Sequence, residues 1–171
     1  MTGQEAAGTA DGRPYRPSVG LCVFNAEGFV WVGHRARDNG PGWQMPQGGI
    51  DEDETPLAAG LRELAEETGI RSVVLLGETR DWLTYDLPPG LPRPPRWANR
   101  YRGQRQKWFA LRFVGAEDEI DLEADESEFD AWRWVPLATV PELVVPFKRP
   151  VYERVVAEFA RFARPTPTES R

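Results

Sequence analysis

One cysteine and one histidine occur in the 171 residues. A lone Cys22 excludes an intramolecular disulfide and fits a reducing compartment; its setting, Val19-Gly20-Leu21-Cys22-Val23-Phe24, reads as a small buried residue rather than a reactive thiol. With His34 alone, and read as a strand residue, general acid–base work falls to carboxylates. No apolar run approaches the roughly 18 residues of a membrane span, which excludes a membrane partner. Residues 1–13 lack the apolar core and basic start of a signal peptide, so a cytoplasmic protein is expected. Positive charge is also short: 21 Lys and Arg stand against 27 Asp and Glu, a net charge of −6. Such a chain does not attract nucleic acid through its overall field. An anionic substrate would need metal ions or a local basic patch. No internal repeat is visible.

What is present suits one globular domain. The length buries a sizeable core without disulfides, and seven Trp, eight Phe and four Tyr are too many for a disordered chain. Strands are expected at Ser18–Phe24 and Phe29–His34, joined by the turn Asn25-Ala26-Glu27-Gly28. Further strands are expected at Trp43–Met45, Val73–Leu76, Trp82–Leu87, Lys107–Val114 and Phe129–Val135. Pro150–Ala163 reads as an amphipathic helix with Val151, Val155, Val156, Phe159 and Phe162 inward. Residues 88–95 contain five prolines and cannot form a central strand or a helix. Nine acidic residues in the fourteen from 117 to 130 read as a solvated loop.

Thr55-Pro56 has the chemistry of an N-cap followed by proline at the first helical position, and Gly69 closes the helix so opened. At about 100° per residue, Leu57, Leu61, Leu64, Ala65 and Thr68 form one stripe, expected to face the core. Glu63, Glu66 and Glu67 share another arc, with Ala59 and Gly60 beside it. Glu63 and Glu67 are a like-charge i,i+4 pair, which opposes the helix unless a cation lies between them. All-oxygen ligands favour Mg²⁺ or Mn²⁺. Taken alone, the same glutamates could simply line a solvated face, with Arg62 paired to Glu66.

The preceding residues change that balance. Gly48 is followed by five residues and Glu54, then by seven residues and Arg62-Glu63-Leu64-Ala65-Glu66-Glu67-Thr68-Gly69-Ile70. This span resembles the Nudix box at every fixed position, so the chain is identified as similar to the Nudix hydrolases. That resemblance implies an α/β fold: an α/β/α sandwich with a mixed β-sheet and a loop–helix–loop metal site. It implies Glu63, Glu66 and Glu67 as metal ligands with the Gly48 carbonyl, Mg²⁺ or Mn²⁺ as cofactor, and Glu54 and Arg62 as structural groups.

Resemblance extends beyond the box. Tyr15-Arg16-Pro17-Ser18-Val19-Gly20, Trp43-Gln44-Met45-Pro46-Gln47-Gly48-Gly49, the stretches 103–109 and 128–135, and Val145–Tyr152 look like the bacterial RNA pyrophosphohydrolase subgroup, close to the dinucleoside polyphosphate hydrolases. It spans residues 14–163, between tails at 1–13 and 164–171 expected to be disordered. By similarity Glu128 is a further metal ligand or catalytic carboxylate beside Glu63 and Glu67. Arg16 and Arg35 would lie near the polyphosphate, Phe147 would stack on a base, and Lys148 would contact phosphate. The expected reaction removes pyrophosphate from the 5′-triphosphate end of RNA and so promotes mRNA decay. The alternatives are hydrolysis of a dinucleoside polyphosphate, a nucleoside triphosphatase, and a non-catalytic nucleotide sensor of the same fold. No obligate protein partner is inferred.

From Leu87 to Ala116 there is no acidic residue, but there are seven basic ones: Arg93, Arg96, Arg100, Arg102, Arg105, Lys107 and Arg112. Trp97, Tyr101, Trp108 and Phe109 are interleaved. The arginines suit either an RNA contact or a solubilising loop, whereas Trp108 and Phe109 are expected in the core.

Overall fold

The computed structural model describes residues 12–35, 42–91, 100–123 and 128–165. Arg93, Arg96 and Trp97 lie outside them, as do residues 1–11, 92–99 and 166–171 of the expected tails and proline-rich segment. Among the described residues eight strands form one mixed sheet: β1 (Tyr15–Phe24), β2 (Val30–Arg35), β3 (Trp43–Gln44), β4 (Gln47–Gly49), β5 (Val73–Glu78), β6 (Leu83–Asp86), β7 (Gly103–Phe113) and β8 (Phe129–Val135). Its spine runs β3-β2-β1-β7-β5. β1 and β7 pair in parallel from Tyr15↔Gly103 to Phe24↔Arg112, and the other pairings are antiparallel. Helix α1 (Pro56–Thr68) covers one face, and the short α2 (Val140–Leu143) and α3 (Arg149–Phe159) belong to the other. No described helix is long and apolar enough to cross a membrane.

Period-two alternation along β1 builds both cores. Val19, Leu21 and Val23 pack with Ala59, Leu64, Phe109 and Leu111 on the α1 side. Cys22 and Phe24 pack with Trp108, Ala110, Val151, Tyr152, Val155 and Phe159 on the α3 side. Trp108 and Tyr152 meet edge to face at 5.6 Å, and burial pushes the Cys22 thiol up, away from thiolate chemistry. Tyr152, absent from the expected inward set, is 1% exposed, and its hydroxyl accepts the Met45 N–H.

The ends of α1 are as expected. Thr55 Oγ1 accepts the Ala58 N–H, and Gly69, at φ 79°, returns its own N–H to the Ala65 carbonyl. Its faces are not. Leu61 is 39% exposed, while Ala59 and Gly60 are buried with Leu64, Ala65 and Thr68. Gly60 sits so close to Leu21 and Val19 that a Cβ there would stand 2.9 Å from Leu21 Cδ1. The small pair therefore lets the helix approach the sheet, rather than opening space beside the carboxylates. That approach turns the buried arc toward Glu63 and Glu67 and leaves Leu57 and Leu61 on the rim of a groove.

Two more expectations need correction. β7 begins four residues earlier than Lys107, and Gln47–Gly49 forms a strand despite Pro46 and two glycines, because it pairs with Ser18, Val19 and Gly20. Nor is the acidic segment simply solvated: Glu119 Oε2 accepts the Arg71 and Ser72 N–H groups, and Glu117 accepts the Trp134 indole N–H.

Candidate active site

The loop before α1 is held by one guanidinium. Arg62 donates Nε to Glu54 Oε2 at 2.6 Å and Nη2 to Glu54 Oε1 at 2.7 Å, a bidentate pair. The same Nη2 reaches the Gly49 carbonyl at 3.2 Å, and Glu54 Oε1 also accepts the Asp51 N–H. These donors, Arg62 foremost, hold the Glu54 carboxyl down to about 2. Arg62 Nη1 then touches Glu63 Oε2 at 3.2 Å and Glu66 Oε1 at 3.3 Å. The bland pairing of Arg62 with Glu66 therefore exists, but as one spoke of a larger hub.

Glu67 is the anomaly. Its Oε1 is buried and has no hydrogen-bond partner. Burial first, then the negative charge of Glu63, with Glu128 and Glu66 adding to it and Arg35 opposing, pushes the carboxyl up to about 8. A desolvated carboxyl group sheds its charge rather than bear the cost of burial, so Glu67 is a poor choice for stability and is placed for something else. Glu63 is likewise raised by burial, with Arg62 pulling the other way. Gly48 lies against it: a Cβ there would fall inside the Glu63 carboxyl group. The loop can therefore meet the glutamate only as bare backbone, and an orphaned Glu67 oxygen, a neighbouring Glu63 carboxylate and a bare loop suit a hard divalent cation. Among the described residues no three acidic, His or Cys side chains stand grouped tightly enough to enclose an ion; Glu63 and Glu66 instead face Arg62.

Basic groups border this cluster. Arg35 Nη2 donates to Glu128 Oε1 at 2.6 Å, at the register shift where β2 meets β8, and both residues act electrostatically on Glu67. Glu128, expected by similarity to serve the site, stands just before β8 and acts electrostatically on Glu67. Arg16 donates to Gln104 Oε1 at 3.2 Å and packs so close to Gly49 that a Cβ there would meet its guanidinium. His34 Nδ1 lies 2.8 Å from Asp130 Oδ1, and its backbone is paired with Trp43 on one side and Ala131 on the other, so it is a strand residue as expected.

Phe147 and Lys148 belong to a second cluster. Lys148 is 9% exposed; its ammonium donates to Gln44 Oε1 at 3.3 Å and lies 5.7 Å from the centre of the Tyr85 ring. Phe147 meets the same ring at 5.6 Å. Around them runs a polar network that sequence reading missed. Gln104 donates to the Tyr85 hydroxyl, and Gln106 donates to Ser18 Oγ and Gln47 Oε1 while accepting the Trp108 indole N–H. Two glutamines alternating on a strand beside a core tryptophan were the available signal. Burial of their amides, which need partners, could only be seen once β1, β4 and β7 were assembled.

A layered mixed sheet, a carboxylate-bearing helix behind a backbone-only loop and a bordering pair of arginines suit a substrate that carries phosphate. The NUDIX domain matches residues 14–155, and the chain belongs to the Nudix family. It is 59% identical over 152 residues to the RNA pyrophosphohydrolase of Caulobacter vibrioides, covering 88% of both chains. It is 55% identical over 159 residues to the RNA pyrophosphohydrolase of Rhodospirillum rubrum, covering 93% of this chain and 95% of that one. Among solved structures, a C. elegans Ap4A hydrolase complex superposes with a TM-score of 0.60 at 17% identity, over 85% of this chain and 98% of the other. An E. coli dihydroneopterin triphosphate pyrophosphohydrolase also gives 0.60, at 19% identity, over 85% and 99%. At those identities the likeness is one of fold.

Proposed function

We propose that the protein removes pyrophosphate from the 5′-triphosphate end of RNA, leaving a 5′-monophosphate, and so opens transcripts to decay. The observation that carries the chemistry is the buried, partnerless Glu67 oxygen, on which the charges of Glu63, Glu128 and Glu66 act. RNA as substrate is supported by the names of relatives at 55–59% identity. The Gly48 carbonyl, Glu63, Glu66 and Glu67 would hold Mg²⁺ or Mn²⁺, with Glu128 completing the set. When bound, such a cation neutralises phosphate oxygens and acidifies water.

The chain's own residues do the rest. Arg16 and Arg35, standing at the border of the carboxylate cluster, hold the polyphosphate. Phe147 stacks on the terminal base, and the Lys148 ammonium faces the phosphate beside it. Water attacks a phosphorus of the triphosphate, its proton passes to a carboxylate oxygen of the cluster, and the anhydride P–O bond breaks. Glu67 Oε1 is the acceptor left without a hydrogen bond, with Glu63 and Glu128 as its neighbours. Arg62 and Glu54 keep loop and helix in register throughout.

The test is product analysis with RNA labelled in its 5′-triphosphate, run beside diadenosine tetraphosphate with Mg²⁺. Release of pyrophosphate, or of phosphate stepwise, with a higher kcat/KM for RNA is expected. Preference for the dinucleotide would reassign the substrate, and no turnover of either would remove the enzymatic reading.

A further inference from the structure

At one end of the sheet three segments converge. The Arg102 N–H donates to the Pro14 carbonyl, the Leu87 N–H donates to the Arg102 carbonyl, and Tyr15 pairs with Gly103. Alternation on β7 divides its side chains: Gln104 and Gln106 turn toward Tyr85 and Ser18, and Arg105 turns to the other face. There the Arg105 guanidinium lies over Trp82 at 4.3 Å. Arg102 lies over Tyr15 at 4.8 Å while donating to Asp86, and Arg100 lies over Tyr101 at 5.2 Å. Three cation–aromatic stacks thus line one sheet end. They come from the stretch that carries seven basic residues and no acidic one, in a chain whose net charge is −6.

We propose that this end is a shelf for the body of the RNA, downstream of the 5′ nucleotides handled by the catalytic cluster. The inference rests on the reading of the substrate as RNA. A guanidinium laid on a ring loses little freedom on binding and offers a flat face for a base; Arg100 and Arg105 would turn edge N–H groups to phosphate, whereas those of Arg102 are engaged by Asp86. The shelf and the proposed phosphate site meet around the end of the sheet: Arg16 and Tyr15 are neighbours on β1 whose side chains leave on opposite faces, Arg16 touching the Gly49 loop and Gln104 and Tyr15 carrying Arg102. A free nucleotide or a dinucleoside polyphosphate has too few phosphates to reach both places. The shelf therefore selects for chain length, not for the reaction.

The experiment compares the parent with the Arg100→Gln/Arg105→Gln double variant, which leaves the Arg102–Asp86 pair in place. kcat/KM is measured across a salt series on 5′-triphosphorylated RNAs of two and of twelve nucleotides. Anisotropy of a fluorescent twelve-nucleotide RNA with a 5′-hydroxyl reads binding without the reaction. The double variant should lose about tenfold on the longer RNA at low salt, with its salt slope shallower by about 0.7 for each phosphate that the shelf no longer neutralises. It should bind the 5′-hydroxyl RNA correspondingly less well. Equal losses on both lengths, or no change on either, would overturn the shelf. If neither RNA is turned over but the binding loss persists, the shelf stands and the proposed reaction fails.

Discussion

The two flanks of α1 invert the usual rule of burial. On one flank Glu63 and Glu67 are half-buried, with Glu67 Oε1 shut off from solvent; on the other Leu61 is 39% exposed and, with Leu57, Ala65, Ile70, Val73 and Leu75, lines an open groove. Stability alone would exchange them, because burying an unpaired carboxylate costs more than burying leucine contributes. The helix is thus docked for its chemistry. The Ala59-Gly60 pair permits that docking by letting backbone meet Leu21 and Val19.

The sharpest break in this comparison is Glu67→Gln. It removes the charge that a bound cation needs, while the metal-free protein, whose Glu67 carboxyl is raised to about 8, loses little near neutral pH. A loss of about 10²- to 10⁴-fold in kcat with Mg²⁺ is expected, together with an unchanged or raised melting temperature of the metal-free protein. A fall in both would place Glu67 among the structural residues. Next, Leu64→Ala should lower stability by about 2–5 kcal/mol in denaturant titrations, since Leu64 is fully buried. Leu61→Ala, on the rim, should cost less than about 1 kcal/mol. Equal costs would show that the groove closes over Leu61 in solution.

Arg62→Lys should preserve charge but lose the fork that holds Glu54 and Gly49 together. Its expected mark is a raised Mg²⁺ requirement for activity, with a smaller change in melting temperature. The smallest effect belongs to Glu119, the carboxylate that serves the groove flank. Its pKa is lowered, first by the Arg71 N–H, so the contribution is full above the ordinary carboxylate range and is lost as pH falls through the lowered value. In Glu119→Gln the stability difference from the parent should therefore shrink on acidification below about pH 4. A constant difference would mean that the charge is idle.

How legible this was depends on how local each feature is. Thr55-Pro56 and Gly69 marked the helix ends, because capping is settled within a few residues. The spacing of Glu63, Glu66 and Glu67 placed them on one arc, because helical periodicity requires it. The bidentate Glu54–Arg62 pair was anticipated only through the family pattern: it spans a loop whose course no periodicity predicts. Leu61 was assigned to the core and lies on the rim, since a wheel orders residues around a helix but does not say where the sheet touches it.

The distant pairings belong to the tertiary structure entirely. Gln106 reads as an ordinary polar strand residue until β1 brings Ser18, and β4 brings Gln47, to its amide. Arg105 reads as one basic residue among seven until the pleat turns it from Gln104 and onto Trp82. By itself the sequence determined the elements and the order of chemical groups along them, because hydrogen bonding, capping and side-chain period act over a few residues. Only the assembled sheet decided how deeply each group is buried and what it faces. Desolvation and Coulomb energy depend on every neighbour in space, and Arg35 and Glu128, which both act on Glu67, lie far from it along the chain.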